Sequence, residues 1–150
     1  MHQAADKPAK QTLFDRLGGL PTLEAVHKRF YDKIYLHPWL KQFFEGHEQA
    51  AIELRQTQFM AGKFGADITY PGMALELAHR RMYIPEELLK LRQSLLRESL
   101  EEEQVPEALI VRWLKIDQAF WKDIGNDSLA SFSEIDLKHE KPLITTDPSA

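Results

Sequence analysis

The chain contains no cysteine, and that absence removes disulfides, zinc–thiolate sites, iron–sulfur clusters and thiolate-ligated iron from its chemistry. It also lacks any block of basic residues or interleaving of aromatic with basic side chains. With a formal net charge of −4 over 150 residues, it offers little to a nucleic-acid backbone or an anionic membrane surface. No apolar run approaches the ~20 residues needed to span a bilayer, and Met1 to Gln11 has no apolar signal region. No nucleic-acid or membrane partner is therefore expected, and the cytoplasm is the default location. No alternating β pattern and no internal repeat is present, so the class is all-α. A hydrophobic content of 43% suffices for one core without a staple.

Residues 1–11 are small, polar and charged and are expected to be disordered. Periodicity begins at Leu13. Leu13 to Leu17 predicts a short helix ended by Gly18-Gly19, and Pro21-Thr22-Leu23 opens a second helix with an apolar stripe at Leu23, Val26, Phe30 and Ile34. Tyr31 lies on the shoulder of that stripe. His37-Pro38 breaks the pattern, because the residue before proline is pushed out of helical geometry, and an aromatic corner at Trp39 to Phe44 follows. The next helix is expected from about Glu48 to Phe64, with Ile52, Gln56, Phe59, Met60 and Lys63 on one side. Gly65 to Gly72, carrying Tyr70, reads as a loop.

Ile84-Pro85-Glu86-Glu87 signals a helix start, with acids at the positive end of the dipole, and the pattern runs to about Glu102. On this helix Arg92 and the run Glu101-Glu102-Glu103 read as solvated positions. Val105-Pro106-Glu107 repeats the start signal for a last helix through Leu109, Trp113, Ile116, Phe120 and Ile124. Residues 127–150 are expected to be partly helical or disordered, leaving residues 12–126 as the domain.

The stretch Met73 to Met82 carries the chemistry. Its Ala/Leu/Met content favours a helix, and Leu75, Ala78, His79 and Met82 share one face, so His79 points inward with Arg80 and Arg81 directly after it. An inward histidine is a metal ligand or a hydrogen-bonded core residue. Glu24-x-x-His27 and Glu76-x-x-His79 also share the spacing that di-iron carboxylate bundles use to present two ligands on one helix face. Against that reading, Glu24 and His27 flank the apolar stripe, and no pair of single inward glutamates stands out. A plain helical interaction module without cofactor is a further alternative.

Several features together resemble a group I truncated haemoglobin over about Leu13 to Ile124. They are Leu13-Phe14-Asp15-Arg16-Leu17-Gly18-Gly19, Arg29-Phe30-Tyr31, the Phe43-Phe44 pair, Gln56 followed by Phe59, the loop from Gly65 to Gly72, and His79. The resemblance implies a two-over-two helical sandwich around haem b, held non-covalently since no Cys-x-x-Cys-His attachment signature exists. It makes His79 the proximal iron ligand, Tyr31 the distal tyrosine that hydrogen-bonds bound dioxygen, Gln56 its supporting glutamine and Phe44 the ring stacked on the porphyrin. Ile52 takes the distal position nearest the sixth ligand, with Phe59 and Met60 beside the cofactor. Lys63, Tyr70, Arg80 and Arg81 become candidates for the propionates. The chain departs from the family with Gly65-Ala66 where two glycines are usual, and in the cationic Arg80-Arg81 pair. The expected function is binding of dioxygen, nitric oxide and similar gases, with nitric oxide dioxygenation supported by an unidentified reductase. An oxygen carrier or haem-based sensor is the alternative.

Overall fold

Two glycine-terminated helix ends set the entry geometry of the domain. The computed structural model describes residues 11–68 and 82–121, together with Thr145 and Pro148. Helix α1, Leu13–Leu17, starts at a capping box in which the Thr12 hydroxyl accepts from the Asp15 amide at 3.1 Å and the Asp15 carboxylate accepts from the Thr12 amide at 3.3 Å. It stops at Gly18, whose φ of 105° belongs to the left-handed region, while the Gly18 and Gly19 amides donate to Asp15 and Phe14 carbonyls. Any side chain at Gly18 would be strained and would meet the Thr22 hydroxyl at 2.5 Å. The turn therefore leads straight into α2, Leu20–Leu36, with proline in its first turn.

Helix α2 is the central element. Leu23, Val26, Phe30 and Ile34 are buried as the periodicity predicts, and His27 and Tyr31 are buried with them. The sequence places both at the margin of the stripe; in the fold α2 is covered from two sides, by α3 and α4, which widens its buried face. His37 ends α2, and its Nδ1 accepts from the Trp39 and Leu40 amides at 3.1 and 3.3 Å. That cap starts a 3-10 segment, Leu40–Phe44, anchored by buried Trp39, Leu40 and Phe43.

Helix α3 spans Gln49–Lys63 and ends in a Schellman motif: the Gly65 amide donates to Gly62 and the Ala66 amide to Ala61, with Gly65 at φ 100°. The Phe14 amide donates to the Phe64 carbonyl at 2.9 Å, and a Cβ on Gly65 would lie 3.0 Å from the Thr12 side chain. The close of α3 is thus tied to the opening of the domain.

Helices α4, Glu86–Glu102, and α5, Glu107–Ala119, complete the described fold. Leu88, Leu96 and Leu100 of α4 and Leu109, Ile110 and Trp113 of α5 join α2 and α3 in one core. One expectation for α4 is corrected. Arg92 is not a solvated residue: its guanidinium donates to both Asp117 oxygens at 2.7 and 2.9 Å and lies 5.2 Å from the Phe30 ring centroid, with its side chain only 19% exposed. The acidic run is solvated as expected at Glu101 and Glu102, while Glu103 is half-buried; Glu103 pairs with Arg29, and Glu102 accepts from Lys33 at 2.5 Å, across the α2–α4 seam.

All elements among the described residues are helical, and none is long and apolar enough to cross a membrane. The expected 73–82 helix, except Met82, lies outside the described residues. So do Tyr70, His79, Arg80, Arg81, Ile124 and the tail apart from Thr145 and Pro148. Thr145 accepts a 2.8 Å hydrogen bond from Trp39 Nε1.

Candidate functional site

Tyr31 occupies the middle of α2, one helical turn beyond His27, and its ring is enclosed by other rings. Phe30 lies 4.9 Å away edge-on, Phe44 of the 3-10 segment 5.9 Å away edge-on, and His27 at 6.3 Å. Burial pushes the phenol's pKa up to about 12, so it stays protonated at any ordinary pH. Among the described residues no group is hydrogen-bonded to its hydroxyl.

Phe44 is half-buried, packed against Tyr31 and, at 5.4 Å, against Tyr35, whose hydroxyl donates to the His47 carbonyl at 3.0 Å. Helix α3 presents two lines of residues. Thr57, Met60 and Ala61 are buried against α2 and the core, whereas Ile52, Gln56 and Phe59 are half-buried beside them and Lys63 is exposed. The predicted side of α3 therefore divides: Met60 belongs to the core, and Ile52, Gln56 and Phe59 form the adjoining face. Lys63 Nζ sits 5.4 Å from both the Phe59 and Phe120 ring centroids, which are 5.3 Å from each other. Ile84 and Leu91 are further half-buried apolar side chains packed on the core.

The structure thus brings Tyr31 and Phe44 together on α2 and the 3-10 segment and places Ile52, Gln56 and Phe59 along α3. Tyr70, His79 and Arg80 fall outside the described residues.

Sequence reasoning missed two buried polar pairs. His27 Nδ1 and the Thr57 hydroxyl are hydrogen-bonded at 2.7 Å between α2 and α3, with both side chains buried. The imidazole is 1% exposed, stands edge-on to Trp113 at 5.7 Å and has its pKa lowered to about 3, first by burial and then by the charge of Arg92, so it is neutral. The second pair is Arg92–Asp117. Burial opposes the Arg92 charge, but the Asp117 carboxylate outweighs it and leaves the guanidinium's pKa raised. Both pairs had a signal: His27 is four residues after Leu23, Arg92 stands midway between Leu88 and Leu96, and Asp117 follows Trp113 by four, so each lies on a buried line.

The burial pattern also decides against the di-iron reading, because Glu24 is exposed while His27 faces the core and spends one ring nitrogen on Thr57. Among the described residues no three His, Asp or Glu side chains are grouped to hold a metal.

Against known proteins, the family model described as bacterial-like globin matches residues 12–126. The chain belongs to the bacterial-like globin family. Its relatives include the group 1 truncated haemoglobin of Mycolicibacterium paratuberculosis, 28% identical over 74 residues that cover 49% of this globin and 54% of the relative. The group 1 truncated haemoglobin of Synechocystis is likewise 28% identical, over 47% of this chain and 57% of the relative. This globin spans little more than half the length of the curated relatives it matches. Its fold is similar to the crystal structure of truncated haemoglobin from Tetrahymena pyriformis, with a TM-score of 0.72 and 26% identity over 78% of this chain and all of that one. A group II truncated haemoglobin from Bacillus anthracis shares the fold at 19% identity and a TM-score of 0.72. The globin is thus a group I truncated type with the two-over-two helical architecture that the sequence resemblance implies.

Proposed function

We infer that this globin binds haem b non-covalently, takes up dioxygen and related diatomic gases, and oxidises nitric oxide to nitrate. The observation that carries the reading is Tyr31: a buried ring edged by Phe44, its phenol kept protonated, with no hydrogen bond to another described residue. The residues fit the cofactor. Phe44, Ile52 and Phe59 offer half-buried apolar faces for a porphyrin, and exposed Lys63 is a cation for a propionate, with Tyr70, Arg80 and Arg81 as further candidates. His79 is the residue proposed to hold the iron.

Haem iron, when bound, supplies a coordination position for a gas and one-electron chemistry. The chain's own residues do the rest. Tyr31 donates a hydrogen bond toward a polarised gas and cannot itself ionise there, and the Gln56 carboxamide is a second donor on the facing helix. In an apolar pocket each such bond is worth about 1–3 kcal/mol. Ile52, at the position nearest the gas, adds no polar group, so ligand control rests on Tyr31 and Gln56. The apolar wall limits water, which protects ferrous iron from oxidation.

Tight retention suits a reaction performed on the held gas better than one that requires its release. Nitric oxide, dioxygen and one electron give nitrate, and the electron requires a reductase that acts in the same compartment, here taken as the cytoplasm. The test is to mix the oxygenated protein with nitric oxide and follow nitrate with a reducing system present. Rapid nitrate formation that falls in Tyr31→Phe supports the reading; a slow reaction, or one unchanged in Tyr31→Phe, would leave an oxygen carrier or gas sensor.

A further inference from the structure

We propose that His27 and Thr57 are a positioning pair that sets the rotation of α3 against α2 and thereby aims Tyr31 and Gln56 at one ligand. The proposal rests on the reading of those two residues as gas-facing donors. Its own basis is a buried hydrogen bond in the seam between the helices that carry them. His27 Nδ1 and Thr57 Oγ1 lie 2.7 Å apart, and both side chains are buried.

The placement of the pair explains what it can control. His27 precedes Tyr31 by four residues, so the two stand one turn apart on the same side of α2, with rings 6.3 Å apart. Thr57 is the chain neighbour of Gln56, so any turn of α3 about its axis that moves Thr57 moves Gln56 by the same angle. The one other hydrogen bond between these two helices among the described residues, from Gln49 Nε2 to Asp32 Oδ1 at 2.7 Å, lies at the first residue of α3, two turns before Thr57, and the buried residues Leu23, Val26, Met60 and Ala61 are apolar. Apolar contact is non-directional and tolerates small rotations. Ala61, having no side chain beyond Cβ, offers no ridge against such a rotation.

With side-chain tips about 5–6 Å from a helix axis, a 10° rotation displaces them by about 1 Å. A hydrogen bond already near 2.9 Å is largely lost by such a displacement, and a misplaced donor contributes little to holding a ligand. The bond between His27 and Thr57 is directional and buried, and such a rotation would break it. In the tautomer protonated on Nε2 the threonine hydroxyl donates to Nδ1; in the other, Nδ1 donates to the hydroxyl. Because the imidazole is neutral, either form persists across the working pH range.

The experiment uses the full-length, haem-loaded protein with carbon monoxide and dioxygen as probes. Thr57→Val keeps the shape and removes the hydroxyl; Thr57→Ser keeps the hydroxyl. The infrared C–O stretching band, which responds to nearby donors, should shift or split in Thr57→Val and return in Thr57→Ser, with dioxygen release about fivefold faster in the valine variant. Removing the bond from the other helix with His27→Leu should give the same band change, so one folded variant suffices. An unmoved band in Thr57→Val or His27→Leu overturns the proposal even if thermal stability falls, since a merely structural bond would lower stability and leave the band alone. Tyr31→Phe separates the two levels: a band unchanged there sinks the donor reading itself, whereas a band changed in Tyr31→Phe but not in Thr57→Val sinks the positioning pair alone.

Discussion

Acidification should unfold this globin partly through His27. The imidazole is held neutral in the fold, with its pKa lowered from 6.5 to about 3 by burial and by the nearby charge of Arg92. In the unfolded chain it titrates normally. Between these two values the unfolded state binds a proton that the folded state does not, so stability is lost as pH falls through 6.5 and the loss saturates near 3. At about pH 5 the unfolded histidine is about 1.5 pH units into that window, which corresponds to about 2 kcal/mol of lost stability from this group. His27→Gln removes the titration while keeping a side chain that can still hydrogen-bond Thr57. Urea denaturation followed by far-ultraviolet circular dichroism, at neutral pH and at about pH 5, gives the comparison. The variant should be less stable at neutral pH but should lose about 2 kcal/mol less than the parent on acidification. Parallel losses in the two proteins would mean that His27 is hydrated or charged in the fold, and the reasoning would fail.

Tyr31→Phe should speed dioxygen release by about tenfold to a hundredfold, since a bond of about 1–3 kcal/mol is removed and the ring kept; stopped-flow measurement of an unchanged rate would refute the role. Arg92→Ala leaves Asp117 buried without its partner and should cost about 3 kcal/mol by chemical denaturation. Arg92→Leu combined with Asp117→Leu should recover much of that loss, and a double variant as unstable as Arg92→Ala would contradict it. A chain of residues 12–126 should still bind haem stoichiometrically, because among the described residues the hydrogen bond it sacrifices is Trp39–Thr145, away from the residues proposed to hold the cofactor; loss of haem would show that the tail supports the pocket.

The elements were readable because their signals are local. Gly18-Gly19, Pro21, His37-Pro38, Pro85-Glu86-Glu87 and Pro106-Glu107 each mark a helix end by short-range chemistry, and the helices follow them closely. Buried faces were readable only in part. The stripe of α2 was anticipated, but its width depends on how many partners cover the helix, and His27 and Tyr31 are buried because α3 and α4 flank it together. Arg92 shows the same limit from the polar side. Its position between Leu88 and Leu96 is a core position, yet an arginine is assigned to water unless a counter-charge is known, and Asp117 lies 25 residues away on another helix. The split of the α3 side into buried Met60 and half-buried Ile52, Gln56 and Phe59 likewise depends on tertiary placement, because one 3.6-residue period fits both lines.

The absorption spectrum of the purified, haem-reconstituted protein and its His79→Gly variant tests the central claim most directly. The account predicts one haem per chain, an intense Soret band with histidine ligation on one side only, and an open sixth position. It also predicts that this ligation disappears in His79→Gly and is restored by added imidazole. A protein that takes up no stoichiometric haem, or one whose spectrum keeps the same histidine ligation without His79, would contradict it.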